Sequence, residues 1–353
     1  MIYRIIVINP GSTTTKVALF ENERPLFKVT VDHSLADLQA CKNVQEEVNL
    51  RYKVIKKITD EHNCDLATVD AFASRGGFLR PVEGGTYLIC DQMLADLTAE
   101  RYGRHSSNIG PFIARRLSYA YGKPALITNP VSVGEYEEWA KITGLPEITR
   151  TPTFHVLNQK EVAYRAARQI GKRYDECRFV VAHLGGGMSV GAHEYGRIID
   201  STSPNQDGAF SITRSGVLPA MKLVSLCYSG KYTWEEIKAL LANSAGIYAH
   251  TGETNFILLE ERAKSDDKIR LLLEAMAYRI AFNICAHAAA LCGDIDAVIL
   301  TGGIAHSKYM VSQIQKRSGF LAPFLIFPGE FEMEGLASGA IRVLSGLEMA
   351  KYY

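Results

Sequence analysis

The residues best able to do chemistry in this sequence lie in glycine-rich turns. An apolar run from Arg4 stops at Asn9, and the stretch Asn9-Pro-Gly-Ser-Thr-Thr-Thr-Lys16 follows before a second apolar run. A hairpin with Gly11 at its bend can point several backbone N–H groups outward together. Ser12, Thr13 and Thr14 add hydroxyl donors, and Lys16 adds a compact positive charge. Such a turn suits a phosphate, though a polar hairpin tip explains it equally well. A second turn, His183-Leu-Gly-Gly-Gly-Met-Ser189, also follows an apolar strand pattern. Gly185, Gly186 and Gly187 remove every Cβ from that bend, so a ligand can approach the backbone closely. A third apolar run meets Gly302-Gly303 ahead of a helical pattern, a plausible nucleotide contact at a helix N-terminus. Three such turns point to phosphate and nucleotide binding. Neither the P-loop nor the dinucleotide fingerprint is present.

Two arginine segments add cations. Arg75 and Arg80 flank Gly76-Gly77, and Arg214 lies in Phe210-Ser-Ile-Thr-Arg-Ser-Gly216. Arginine beside glycine suits bidentate capture of a carboxylate or phosphate, with a surface salt bridge as the plainer alternative. His105 to Asn108, and His155 after Phe154, are polar residues in apolar or helix-flanking contexts. Asp200 beside Ser201 and Thr202 can hold Mg²⁺ through water or cap the next segment. Glu330, Glu332 and Glu334 lie just before the last helix, and Glu334 is near its first turn, where a carboxylate is favoured in any case.

The elements that position these residues follow from hydrophobic period and turn signals. Strands are expected at 4–9, 16–20, 25–31, 68–73 and 124–128. Helical patterns run from Ser34 to near His62, over 91–103 and over 109–121. The series then restarts with strands at 178–183, 189–193 and 197–200. Helices follow at 219–228, 233–241, 255–265 and 268–292. A strand at 297–301, a helix at 307–317, a strand at 325–327 and a helix at 335–349 complete the chain. Strand, glycine turn, strand, strand therefore occurs twice, about half the chain apart. That predicts a duplicated α/β fold with a ligand cleft between the halves. The expected domains are 1–175, rejoined by the C-terminal helix, and 176–334.

Length and composition bound the rest. The 353 residues are 47% hydrophobic and 22% charged with net charge +1, which gives no reason to expect nucleic acid or an anionic membrane as partner. Seven scattered cysteines show no zinc or disulfide spacing and fit a reducing compartment. The longest apolar stretch, Ala275 to Cys292, carries Arg279, Asn283 and His287 as one polar stripe, which marks a buried helix and not a membrane span. No signal-peptide layout precedes the first turn, so a cytoplasmic location is expected.

These segments, in this order, resemble the acetate kinase family of the acetate and sugar kinase/actin superfamily, and within it the butyrate kinases. The carrying residues are VINPGSTTTKVALF at 7–20, SRGGFLRPVEGGTY at 74–87, HSSNIGP at 105–111 and TPTFH at 151–155. They continue with AHLGGGMSVGAHEYGRIIDST at 182–202, GAFSITRSGVLP at 208–219, LTGGIAHS at 300–307 and FEMEGLASGA at 331–340. The resemblance covers essentially the whole chain. It implies two ribonuclease H-like domains of the actin-like ATPase type. It implies reversible transfer of the ATP γ-phosphoryl group to a short-chain carboxylic acid, butyrate or a branched acid, with Mg²⁺. A homo-oligomer, dimer or higher, is implied as well.

By the same resemblance, Asn9, Ser12, Thr14 and Lys16 sit where the family binds phosphate. Arg75 and Arg214 sit where it holds the carboxylate and the transferring group, with Arg80 a rival for Arg75. His155 is carried over as catalytic. His183, Gly185, Gly186, Gly187, Gly302 and Gly303 fall in the nucleotide turns, and Glu334 and Asp200 are the expected metal ligands. Two positions depart from acetate kinases. Thr151 stands where they have aspartate, and Gln159 stands where they carry histidine. An insertion between two of their motifs is absent as well. A carboxylate nucleophile is already ionised at pH 7 and needs no general base, so a site of arginines, lysine and Mg²⁺ is chemically sufficient. A sugar kinase, which would need a base such as Asp200, and a non-catalytic nucleotide-switched protein of actin type are the alternatives.

Overall fold

Burial sets the centre of the first sheet. The strand β1 (Arg4–Pro10) is buried from Ile5 to Pro10 without alternation, so both of its faces are covered. It pairs antiparallel with β2 (Thr14–Glu21), which pairs with β3 (Arg24–Asp32). On its other side it runs parallel to β4 (Ala71–Ser74), followed by β6 (Ala125–Thr128) and an antiparallel edge strand β5 (Thr86–Leu88). The order is β3-β2-β1-β4-β6-β5. Helices α1 (Leu35–Ala40), α2 (Val44–Glu61), α3 (Asp91–Thr98) and α4 (Gly110–Tyr121) accompany it. The computed structural model describes all 353 residues.

The second sheet repeats the scheme. Its strands are β7 (Arg178–Leu184), β8 (Met188–Glu194), β9 (Arg197–Ser201), β10 (Ala297–Gly302) and β11 (Phe324–Pro328), in the order β11-β10-β7-β8-β9. Three antiparallel strands in sequence and two parallel additions to the first of them are thus common to both sheets. Its helices are α5 (Glu138–Lys141), α6 (Val156–Gln169), α7 (Ala220–Cys227), α8 (Trp234–Asn243), α9 (Gly246–Thr251), α10 (Phe256–Arg262), α11 (Asp267–Ala290) and α12 (Lys308–Ser318). The last helix, α13 (Glu332–Leu344), packs on β1, β4 and β6. The chain divides into two units, Met1–Gly134 with Phe331–Tyr353, and Glu135–Glu330.

Several boundaries differ from the sequence expectation for identifiable reasons. The first unit ends at Gly134, not at 175, because α6 packs against β7 and β10. The helix expected from 34 to 62 is two helices, since the Asn43 side chain accepts the Glu46 N–H and starts α2 afresh. The helix expected over 91–103 stops at Thr98, and Glu100 takes the left-handed conformation, φ 47°. The strand expected at 68–73 begins only at Ala71, after a 3₁₀ turn at Leu66–Thr68. The pattern also missed α6. Its Asn158, Gln159, Lys160 and Glu161 are all buried, so these polar residues do not mark a solvent face.

Lys160 and Glu135 form an ion pair at 2.8 Å with each side chain only 5% exposed, and the Glu135 carboxylate also accepts the Ile198 N–H. Removing one member leaves the other charge buried and uncompensated. Lys160→Ala is expected to cost about 3–5 kcal/mol in urea denaturation. Truncating the exposed pair of Arg197 and Glu137 should cost less than about 1 kcal/mol.

Candidate active-site residues and family

In the first unit the β1–β2 hairpin is braced from behind by a residue that sequence reasoning did not single out. Arg51 of α2 has no exposed surface. Its Nη1 donates to the Thr14 carbonyl at 2.6 Å and to Thr15 Oγ1 at 2.9 Å. Its Nη2 donates to the carbonyls of Gly11 at 3.0 Å and Ser12 at 3.3 Å. Glu47 pairs with the same guanidinium at 2.8 Å. His33 adds a hydrogen bond to Thr15 at 2.8 Å. With these carbonyls drawn inward, Ser12 and Thr13 remain exposed at the tip, and Thr14 and Lys16 are partly exposed. Arg51 was invisible to local patterns because its partners lie 36 to 40 residues away.

Asn9, at the end of β1 and opposite Lys16, is 4% exposed. Its Nδ2 donates to Glu332 Oε2 at 2.9 Å, and Arg75 Nη1 reaches the same oxygen at 2.8 Å. Glu332, rather than Glu334, therefore joins Asn9 and Arg75. Glu334, expected to be the metal carboxylate, is ion-paired with Lys28. The Arg75 N–H donates to the Ile8 carbonyl, which ties the arginine loop to β1. Arg80 is exposed and lies over the Tyr353 ring at 4.4 Å, away from this cluster. Asn108 Oδ1 accepts the Phe78 N–H at 2.9 Å, so the two motifs at 74–80 and 105–111 form one piece. Burial, and then Arg75, hold the His105 imidazole below its usual pKa. Nearby, a pocket of about 500 Å³ is lined by residues including Ser12, Leu38, Leu97 and His105. Two buried polar atoms here have no hydrogen-bond partner, the Ser74 hydroxyl and Arg75 Nε. Ser74 is the register partner of Ile8, one residue from Asn9.

In the second unit His183 is the penultimate residue of β7, and Gly185, Gly186 and Gly187 turn the chain into β8. Arg214 lies directly on this turn. A Cβ at position 187 would fall 2.4 Å from Arg214 Nη1, so the glycine is what admits the guanidinium. Ser211 donates to the Gly186 carbonyl at 2.6 Å and holds the arginine loop there. Burial alone lowers the Arg214 pKa, and no carboxylate pairs with it. Gly302 and Gly329 exchange backbone hydrogen bonds at 2.9 and 3.0 Å, which fixes the turn that continues into Gly303. His155, at the start of α6, stacks on His183. Gln159, at the position where acetate kinases carry histidine, is fully buried between Ser189 and His193.

Asp200 accepts from Arg150 Nη1 at 2.7 Å, and Arg150 also reaches Asp207 and the Ser201 carbonyl. Asp200 pairs with Ala192 across β8–β9, well down β8 from the glycine turn. It serves here as an ion-pair partner. No three His, Cys, Asp or Glu side chains converge as a metal cluster. The Glu332 carboxylate, which Asn9 and Arg75 engage through Oε2, is nevertheless of the kind Mg²⁺ takes, since that ion uses one or two carboxylates and completes its shell with water and phosphate. No helix is long and apolar enough to cross a membrane.

His33, His105, His193 and His287 all have pKa values lowered from the ordinary 6.5, with burial as the first cause. The unfolded chain takes up these protons near pH 6.5, whereas the folded chain resists them to lower pH. Stability is therefore full above about pH 6.5 and falls as the pH drops below it. The melting temperature should be lower at about pH 5.5 than at about pH 7.5. An unchanged value would contradict neutral burial of these rings.

Comparison with known proteins bears on the whole chain. Residues 145–319 match the model of the acetokinase family. Butyrate kinase 2 of Clostridium acetobutylicum is 44% identical over 355 residues, covering 100% of both chains. A probable butyrate kinase 2 of Caldanaerobacter subterraneus is 44% identical over 352 residues, 99% of each. Among solved structures, an acetate kinase of Porphyromonas gingivalis superposes with TM-score 0.81 at 18% identity, over 97% of this chain and 100% of that one. A propionate kinase of Francisella tularensis gives 0.74 at 18% identity, over 95% and 98%. The two sheets thus have the fold of these kinases, and the full-length identity shows that the chain belongs to the acetokinase family.

Proposed function

We propose that the chain transfers the γ-phosphoryl group of ATP to a short-chain carboxylic acid, butyrate or a branched acid of similar size, giving ADP and an acyl phosphate. The single observation that carries this reading is Arg214, a half-buried cation without a carboxylate partner, seated on a triple-glycine turn. A cation in that state is poised for an anionic ligand, since burying it without a partner is costly. The names of the full-length relatives support the carboxylate as acceptor.

A carboxylate oxygen attacks the γ-phosphorus, the bond to the β-phosphate oxygen breaks, and ADP leaves with those electrons. The nucleophile is ionised at pH 7, so no proton has to be removed. The chain's task is to hold anions in line and offset their charge. In this reading Arg214 and the amides of Gly185, Gly186 and Gly187 hold nucleotide phosphate, with Gly302 and Gly303 at the nucleotide. Ser12, Thr14 and Lys16 hold phosphate at the first hairpin, and Arg75 holds the acid. Asn9 and Glu332 are the residues that would hold Mg²⁺, which when bound neutralises charge on phosphate oxygens. Asp200, the base that a sugar kinase would need, is engaged by Arg150, which disfavours that alternative.

Acyl phosphate trapped with hydroxylamine, across acetate, propionate, butyrate and isobutyrate, tests the reading. Arg75→Ala and Arg214→Ala should each lower the yield at least about 10³-fold in folded protein, whereas Arg80→Ala should stay near wild type. Near-normal turnover in a folded Arg214→Ala protein would refute its role, and absence of hydroxamate with every acid would refute the function.

A further inference from the structure

His155 and His183 stack with ring centroids 3.9 Å apart and planes 14° from parallel. Two imidazolium ions at that distance would repel strongly in a buried setting. The charge and proton position of each ring follow from what faces its Nδ1. Asn158 Nδ2 lies 2.9 Å from His183 Nδ1, and Ser189 Oγ lies 2.8 Å from His155 Nδ1.

Two backbone carbonyls, which can only accept, fix the direction of both contacts. The Thr301 hydroxyl donates to the Gly329 carbonyl at 3.1 Å. It must therefore accept from Asn158, 3.2 Å away, so the amide nitrogen of Asn158 faces inward and its second N–H points at His183 Nδ1. The Ser189 carbonyl plays the same part for Gln159. It lies 3.3 Å from Gln159 Nε2, which also donates to Ser189 Oγ at 2.9 Å. The Ser189 hydroxyl accepts from Gln159 Nε2 and from the His155 backbone N–H at 3.5 Å, which takes both of its lone pairs, so it gives its proton to His155 Nδ1. On the far side Gln159 Oε1 accepts from His193 Nε2 at 3.0 Å, and Tyr174 donates to His193 Nδ1 at 2.8 Å. Gly191 makes this bridge possible, since a Cβ there would fall 2.5 Å from Gln159 Oε1. Burial, helped by the Lys160 charge, keeps His193 neutral and leaves it a single N–H.

We propose that Asn158 and Gln159, adjacent on α6, are positioning residues that hold His183 and His155 as neutral imidazoles with the proton on Nε2. A donor faces Nδ1 in both rings, so neither can be protonated there without breaking its contact. His183 Nε2 lies against the glycine turn, 3.1 Å from where a Cβ of Gly185 would sit. With its proton on Nε2, His183 turns an N–H toward that turn and leaves positive charge to Arg214. The kinetic consequence rests on the phosphoryl-transfer reading above, whereas the proton positions do not.

Long-range ¹H–¹⁵N spectra of the full-length protein labelled in histidine test the proposal at about pH 7. The wild type should show both rings protonated on Nε2 only. Asn158→Asp should move a proton to Nδ1 of His183 alone, and Gln159→Glu should do so for His155 alone. Gln159→Glu should also lower kcat about ten- to hundredfold, by analogy with losses seen when groups behind metal ligands are changed. A ring of the wild type protonated on Nδ1, or doubly protonated, would overturn the proposal even if a variant fails to fold. A folded variant that leaves its partner ring unchanged would overturn the role given to that residue. If the spectra hold but no acid is phosphorylated, the functional reading falls and the positioning stands.

Discussion

A hairpin can turn its donors toward a ligand only if its carbonyls are held elsewhere, and in the first unit one buried guanidinium does this. Arg51 takes the carbonyls of Gly11, Ser12 and Thr14, leaving the hydroxyl side of the turn outward. The geometry needs a rigid fork with several donors, which lysine lacks. Glu47 offsets the buried charge. The other features of that unit's cluster then assemble around the end of β1. Asn9, Arg75 and Glu332 meet there because the β4 loop and the first turn of α13 both come to the same strand end.

The second unit reaches the same end by different means. Its turn has no hydroxyl cluster, but three glycines let Arg214 lie against the backbone. The bracing comes from α6, whose buried polar residues tie β7, β8 and β10 together through His183, Ser189 and Thr301. Buried polar groups of this kind are costly unless all are satisfied, and once satisfied they specify one arrangement. Phosphoryl transfer depends on such fixed donors and cations more than on any single acid or base.

The sequence made the architecture legible because the strands carrying both hairpins are short apolar runs ending in glycine turns. Arg75 and Arg214 stand out in the sequence for a related reason, each lying close to glycine. Three things were not legible. Arg51 acts across nearly 40 residues, and a lone arginine on an amphipathic helix looks like any solvated charge. Glu332 and Glu334 are two residues apart at a helix start, and only the contacts with Asn9 and Lys28 tell them apart. The helix α6 buries Asn158, Gln159, Lys160 and Glu161, so polar residues stand inside where a helix is recognised by apolar ones. That omission also displaced the expected domain boundary from Gly134 to 175.

The central claim is that a carboxylate oxygen is the nucleophile and needs no base. It is tested most directly by ³¹P NMR of the acyl phosphate formed from ATP, Mg²⁺ and butyrate labelled with ¹⁸O in its carboxyl group. An acyl phosphate resonance displaced by the isotope is expected, because one labelled oxygen becomes bonded to phosphorus. An undisplaced resonance, or release of inorganic phosphate alone at a rate indifferent to butyrate, would contradict it.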